Sequence, residues 1–339
     1  MRPITLKDIA AKLNISVTTV SKALKGYSDV SPSTRKAVIK LAKEMNYEPN
    51  IVAVNLRTQQ TKTIGVIIPT IVHHFFSKVI NGIIKEAEKH GYLVITVQSN
   101  EKLESEEKQL YLLQQKRVDG ILISLSNETS KYNHIEAILR KKIPIVMFDK
   151  IGKLVECSKV VIDDQLAAYN AVSYLIEKGY KRIAHFRGAL NPQISIDRFL
   201  GYRKALVDHG INFDPSLVYI CSGNNDFNDG YNNAKKLIKE QTNIDAIFAI
   251  TDVVAVGIIK YFKENNIKIP EDIAVLGFSD WFMASVVTPE LSSVKQPGYE
   301  MGRKATEILI NEIKNLKNNI PYSFQKVVLP TSLVIRKST

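Results

Sequence analysis

The chain has 339 residues, 45% of them hydrophobic, and a formal net charge of +12. That size allows more than one buried core, so two or three domains are expected. No apolar run reaches membrane-spanning length and the opening M-R-P-I-T-L-K-D lacks the marks of a secretory leader, which predicts a soluble, cytoplasmic protein with no membrane partner. Cys157 and Cys221 have neither metal-ligand spacing nor a secretory context; free thiols are expected, with no metal and no cofactor.

The charge is uneven. Residues 1–62 carry eleven Lys and Arg against four Asp and Glu, which places +7 of the net +12 in under a fifth of the chain. A basic N-terminal module points to a polyanionic partner. Thr5 and Asp8 are spaced as a capping box ahead of a first helix, with Leu6, Ile9, Ala10 and Leu13 on one face and an end near Asn14. Ser16 caps a second helix, with Ile15 and Val20 placed as a hydrophobic staple; Val17, Val20 and Leu24 are expected inside, and Thr18, Ser21 and Lys22 outside. Ser31-Pro32 opens a third helix whose apolar face is Val38, Leu41, Ala42 and Met45. The three form a helix-turn-helix unit (residues 1–48), and the outward groups of the second helix can reach phosphates or base edges in a major groove.

Residues 49–62 read as a hinge and linker. Asn50 to Arg57 (N-I-V-A-V-N-L-R) has an N-cap and a face of Val52, Ala53 and Leu56, yet it is too short and too β-branched to hold as an isolated helix. It would form only when that face is buried.

These motifs carry a resemblance. T-L-K-D-I-A-A-K-L-N-I-S-V-T-T-V-S-K-A-L, V-S-P-S-T-R-K-A-V and M-N-Y-E-P-N-I-V-A-V-N-L-R closely resemble the LacI/GalR family of bacterial transcriptional regulators, and the match continues through nearly the whole chain. The resemblance implies base-reading side chains at Val17, Thr18 and Lys22 of the recognition helix. It also implies a hinge helix in which Leu56 wedges into the minor groove at the operator centre. The DNA-contacting set then comprises Thr5, Ser16, Val17, Thr18, Thr19, Ser21, Lys22 and Tyr27 with Asn50, Ala53, Leu56 and Arg57 from the hinge. Val54 stands where relatives commonly place arginine.

From Thr63 onward, short apolar runs (Ile64 to Ile68, Leu93 to Val97, Gly120 to Ser124, Ile145 to Phe148, Ile183 to Phe186, Val218 to Ile220, Ala246 to Ile250, Ile273 to Phe278) alternate with helical patterns. Such alternation predicts doubly wound parallel sheets covered by helices, here an α/β domain of two lobes. The resemblance implies a periplasmic-binding-protein-like architecture with chain crossovers: an N-lobe of about 63–162 and 293–325, and a C-lobe of about 163–292 and 326–339.

Ligands in such sheets collect beyond the carboxyl ends of the strands. In the first lobe those ends offer His73, His74, Phe75 and Phe76, then Gln98 and Asn100, then Ser124, then Asp149 and Lys150. In the second they offer Asp163, Arg198, Asn225, Phe227, Asp252, Asp280 and Trp281. The set suits a polyhydroxylated effector, since Asp, Asn and Arg bond vicinal hydroxyls and aromatic faces cover a sugar ring. Of Phe75 and Phe76, one is expected in the core. Pro192 and Ile194 occupy a loop where purine-type relatives place polar contacts, and Ser279 stands where many members have Asp, which argues against a purine.

No G-x-S-x-G, Walker A, G-x-G-x-x-G or H-E-x-x-H motif is present, so no enzyme is expected. The competing reading is a sugar-binding module without a DNA role. Against it stands the basic helical unit. The expectation is a homodimeric regulator on a palindromic operator; the closing V-I-R-K-S-T lacks a leucine heptad that would build tetramers.

Overall fold

A computed structural model of the chain describes residues 4–48, 60–72, 74–221 and 226–339. The hinge reading at Asn50, Ala53, Val54, Leu56 and Arg57, and the ligand candidates His73 and Asn225, lie outside the described residues. The chain divides into two compact units, Met1–Thr61 and Lys62–Thr339.

The first unit holds α1 (Leu6–Leu13), α2 (Val17–Leu24) and α3 (Pro32–Glu44). Each start is built from the residues that the spacing indicated. Thr5 donates its N–H and its hydroxyl to Asp8 Oδ2 (2.8 and 2.7 Å), and Ser16 Oγ accepts the Thr19 N–H at 3.0 Å. Ser31 Oγ accepts the Thr34 N–H at 3.2 Å, with Pro32 in the first turn where no N–H is needed. Helix α1 ends on Asn14, whose left-handed φ of 50° is a conformation Asn tolerates. Ile9, Ala10, Val20, Ala23, Val30, Val38 and Ala42 form the core. Val17 departs from expectation, since it is 39% exposed while Ala23 is buried. The short flanking helices cover only the stripe through Val20 and Ala23, which leaves the first turn of α2 open.

In the second unit one sheet has the order β11-β5-β4-β3-β1-β2 and is wholly parallel. Its strands are β1 (Thr63–Ile68), β2 (Leu93–Gln98), β3 (Gly120–Ile123), β4 (Ile145–Phe148), β5 (Ser158–Ile162) and β11 (Lys326–Leu329). The other sheet, β12-β10-β9-β8-β6-β7, is parallel except for β12. It contains β6 (Ile183–Arg187), β7 (Val218–Ile220), β8 (Ala246–Ala249), β9 (Ala274–Ser279), β10 (Ser292–Lys295) and β12 (Ser332–Val334). The helices are α4 (His74–Lys89), α5 (Leu103–Gln115), α6 (Asn133–Arg140), α7 (Asp164–Glu177), α8 (Gln193–Asp208), α9 (Phe227–Glu240), α10 (Asp252–Glu264) and α11 (Gly298–Lys317).

Two lobe boundaries differ from the sequence reading. Strand β10 belongs to the second sheet and β11 to the first, so the late crossovers fall at Gln296–Pro297 and Pro330–Thr331 instead of near 293 and 325. The strands explain why. Ser292 and Ser293 are fully buried yet polar, and β11 alternates exposed with half-buried, so neither shows an apolar run.

Helices α4 and α11 meet backbone to backbone. A Cβ placed on Gly82 would lie 2.1 Å from the Tyr299 carbonyl oxygen, and one on Gly302 would lie 2.0 Å from that of Val79. Glycine is required there because no other residue allows that approach. Gly201 between α7 and α8, and the pair Gly230 and Gly257 between α9 and α10, repeat the arrangement.

Candidate DNA-contacting face and ligand cleft

The exposed face of α2 presents Val17 and Thr18 at its first turn. Thr5, Ser16 and Thr19 are engaged locally: the first two cap helices, and Thr19 Oγ1 lies 2.8 Å from Ser16 Oγ. Ser21 is half-buried and Tyr27 is 55% exposed on the loop after α2. Lys22 forms an ion pair with Asp29, whose carboxyl is held below its ordinary value by the hydrogen bond from that ammonium. The loop that presents Asp29 is fixed at both ends. Arg35 Nη2 donates to the Tyr27 carbonyl at 2.5 Å, the Tyr27 N–H reaches the Lys22 carbonyl at 3.1 Å, and Val30 is buried in the core.

A carboxylate beside a recognition-helix lysine repels phosphates and occupies its charge. Asp29→Asn is expected to raise affinity for a random duplex several-fold and to steepen the salt dependence by roughly 0.9 in log–log slope, one extra phosphate contact. Fluorescence anisotropy across a salt series measures both. An unchanged slope would mean that Lys22 is already free to meet DNA.

In the second unit the carboxyl ends of both sheets face a cavity of about 360 Å³. The turn after β1 and the start of α4 supply Thr70, Val72, His74 and Phe75, and the turn after β2 supplies Asn100 and Glu101. From the other lobe come Asp226 before α9, Asp252 and Val253 at the start of α10, and Ser279 and Trp281 after β9. A second cavity of about 200 Å³ lies against the first crossover and is lined in part by Asp149, Lys153, Asp163, Asp164, Asp197 and Lys326.

Asp252 organises the larger cavity. It is 1% exposed, its Oδ2 accepts the Trp281 N–H at 2.6 Å, and its Oδ1 accepts the Ser293 hydroxyl at 2.5 Å. Burial pushes its carboxyl up to about 6 against those two donors. The turn that brings Trp281 there is unusual: Ser279 has φ 121° and Asp280 φ 49°, both rare for residues other than glycine. Asp280 itself takes the Arg336 guanidinium at 2.6 Å. His74 sits edge-on to Phe282 and tilted to Trp281, and burial followed by Lys78 lowers its pKa, which keeps the imidazole neutral at pH 7.

The ligand candidates read from sequence therefore separate. Phe75, Asn100, Asp252 and Trp281 line the larger cavity; Asp149 and Asp163 line the smaller one. Both phenylalanines are buried in the core, where one was expected, and Phe75 also lines the cavity. Gln98 accepts the Ile71 N–H and donates to Asn100 Oδ1 at 2.7 Å, a supporting position behind Asn100. Ser124 donates to the buried Asp149 at 3.2 Å, and burial raises the Asp149 pKa. Phe227 is 37% exposed and stacks on Tyr231.

Arg198 is corrected most. It is 2% exposed and lines neither cavity. Its Nε donates to Asp164 Oδ1 at 2.7 Å, its Nη1 to the Ile250 carbonyl at 2.8 Å, and its guanidinium lies 3.6 Å from the centre of the Phe278 ring. Asp163, expected beside a ligand, accepts the Leu166 N–H at 2.9 Å and caps α7. Sequence reasoning placed His74 at the end of β1, where it lines the cavity, but missed Glu101 and Asp226 as lining groups. The capping spacing of Asp226 and Asp229 was the available signal for one of them.

The comparisons agree with this architecture. The family profile described as "Periplasmic binding proteins and sugar binding domain of LacI family" matches residues 61–328, and "Bacterial regulatory proteins, lacI family" matches residues 5–50. The HTH-type transcriptional regulator RegA of Clostridium saccharobutylicum is 33% identical over 338 residues, 99% of each chain. A solved transcriptional regulator CelR–cellobiose complex is 26% identical with a TM-score of 0.75 over the full length of both chains. The lac repressor dimer bound to operator and the anti-inducer ONPF, 24% identical, shares the fold at a TM-score of 0.87 over 99% of both. The helix-turn-helix match removes the reading of a sugar-binding module without a DNA role, and this chain belongs to the LacI family of bacterial regulatory proteins: a helix-turn-helix transcriptional regulator with an effector-binding domain, not an enzyme.

Proposed function

We propose that this regulator is a cytoplasmic homodimeric repressor that holds a palindromic operator and changes its grip when a sugar enters the larger cavity. One observation supports the choice of ligand: the cavity combines hydroxyl-bonding groups (Asn100, Glu101, Asp226, Asp252) with apolar and aromatic surface (Val72, Phe75, Val253, Trp281). A pyranose has this dual character, with hydroxyls at its rim and C–H groups on its faces. The volume of about 360 Å³ accommodates a mono- or disaccharide, and the related CelR was solved with cellobiose. Two α2 helices would read adjacent major-groove half-sites. The hinge residues Asn50, Ala53, Leu56 and Arg57 would fold between them on the DNA, Leu56 as a minor-groove wedge.

A marginal hinge helix is a suitable receiver, because a coupling of about 1–3 kcal/mol already changes operator affinity roughly 5- to 150-fold. The test is a thermal-shift screen of mono- and disaccharides against nucleosides, followed by anisotropy on the chain's own promoter duplex. The expected result is stabilisation by a sugar that also alters duplex affinity. Stabilisation by a nucleoside alone would overturn the sugar assignment.

A further inference from the structure

We infer that the effector is an unphosphorylated sugar, and that the charge built into the larger cavity excludes phosphate esters of the same sugar. This rests on the sugar reading above and narrows it. Glu101, Asp226 and Asp252 line the cavity, and no lysine or arginine does so among the described residues. The sequence at 73 and 222–225 (His, then Ser, Gly, Asn, Asn) adds neither.

Three cations that come near are held by carboxylates and carbonyls, and Lys78, close enough to His74 to lower its pKa, does not line the cavity. Lys150 Nζ is bound by both oxygens of Glu101 (2.5 and 2.7 Å) and by Asn127 Oδ1 (2.7 Å). Arg336 is divided between Asp280 and the Leu291 carbonyl, at 2.6 and 2.7 Å. Arg198 is divided between Asp164 and the Ile250 carbonyl. Of the helix N-termini at the cavity, those of α9 and α10 already carry their own carboxylates, Asp226 with Asp229 and Asp252, whereas α4 begins without an acid in its first turn. His74 is neutral at pH 7 and offers no charge.

A phosphate dianion entering this space loses its hydration shell and meets the Asp226 and Asp252 carboxylates, while Glu101 is already neutralised by Lys150 and no lysine or arginine lines the cavity among the described residues. A neutral polyol meets acceptors for its hydroxyls. The consequence for the regulated chemistry is that the signal is a free sugar, as released by glycoside hydrolysis or by transport without phosphorylation, read before any kinase acts on it.

Calorimetry of the full-length protein with matched pairs tests this: glucose and glucose 6-phosphate, galactose and galactose 1-phosphate, ribose and ribose 5-phosphate, with cellobiose and maltose as neutral disaccharides. A free sugar is expected to bind, with its phosphate weaker by about tenfold or more. Asp226→Asn, which keeps a capping side chain, is expected to narrow that ratio several-fold. A phosphate ester binding as tightly as its parent overturns the inference and leaves the sugar reading standing. Silence from every sugar overturns both.

Discussion

Arg198→Ala is expected to lower the stability of the effector domain by about 3–5 kcal/mol, the range found when one partner of a buried ion pair is removed. The guanidinium is 2% exposed and satisfies Asp164 and the Ile250 carbonyl while resting on Phe278. Burial already pushes the Asp164 carboxyl up to about 6 with Arg198 in place. Without it, a buried carboxylate loses its counter-charge, a carbonyl loses its donor, and the space beside Phe278 empties. Urea unfolding of wild type, Arg198→Ala, Asp164→Asn and the double variant gives the coupling between the two groups. A loss under about 1 kcal/mol in the arginine variant would show that the guanidinium is not a structural pin and would return Arg198 to the ligand-contacting set.

The pH dependence of stability carries the second large effect. Glu312 on α11 is 4% exposed; it accepts the Ser158 hydroxyl with one oxygen, and its Oε2 has no hydrogen-bond partner. Burial raises its carboxyl from 4.5 to about 7. A raised carboxyl favours the protonated folded state, so its contribution is fully present below pH 4.5 and is lost as pH rises toward 7. The shift corresponds to roughly 3 kcal/mol. Asp164 and Asp252 act in the same direction, each pushed up to about 6. Glu312→Gln should therefore match or fall slightly below wild type near pH 4.5 and exceed it near pH 8. Chemical denaturation at several pH values reads the difference, and parallel curves for the two proteins would refute it.

The parts of the fold that follow apolar periodicity were legible from sequence. The helix caps at Thr5, Ser16 and Ser31 and strands β1–β4 and β6–β9 fall where the residues indicated. The strands that escaped are short or polar. Ser292 and Ser293 are buried because Ser338, Thr339 and Asp252 bond to them, which is a long-range satisfaction that no local pattern announces. The site was legible to the strand end but not beyond it. Asn100 and Glu101 have φ of 54° and 61°, Asp149 has 58°, and the Ser279–Asp280 turn is left-handed as well. A non-glycine residue gives no warning of such a conformation, and each of these turns decides which side chain faces the ligand. The placement of Arg198 away from the larger cavity was hidden for a related reason. Spacing places a cation near a cleft but cannot show that Asp164, the neighbour of the expected Asp163, has already taken it.

The glycine contacts between paired helices bear on how the domain can deform. Where main chains touch, as at Gly82 with Tyr299 and Gly302 with Val79, neither helix can slide without a collision. Each lobe is then a stiff plate, and compliance is left to the three strands of chain that join the plates, at Ile162–Asp163, Gln296–Pro297 and Pro330–Thr331. Two of those joints contain proline, whose fixed φ removes one axis of rotation. Three joints, two of them restricted, leave the lobes fewer ways to turn against each other than three free ones would. Under the homodimeric reading proposed above, a sugar would act on such a frame chiefly by changing the angle between the lobes, and that angle would set the distance between the two DNA-reading units.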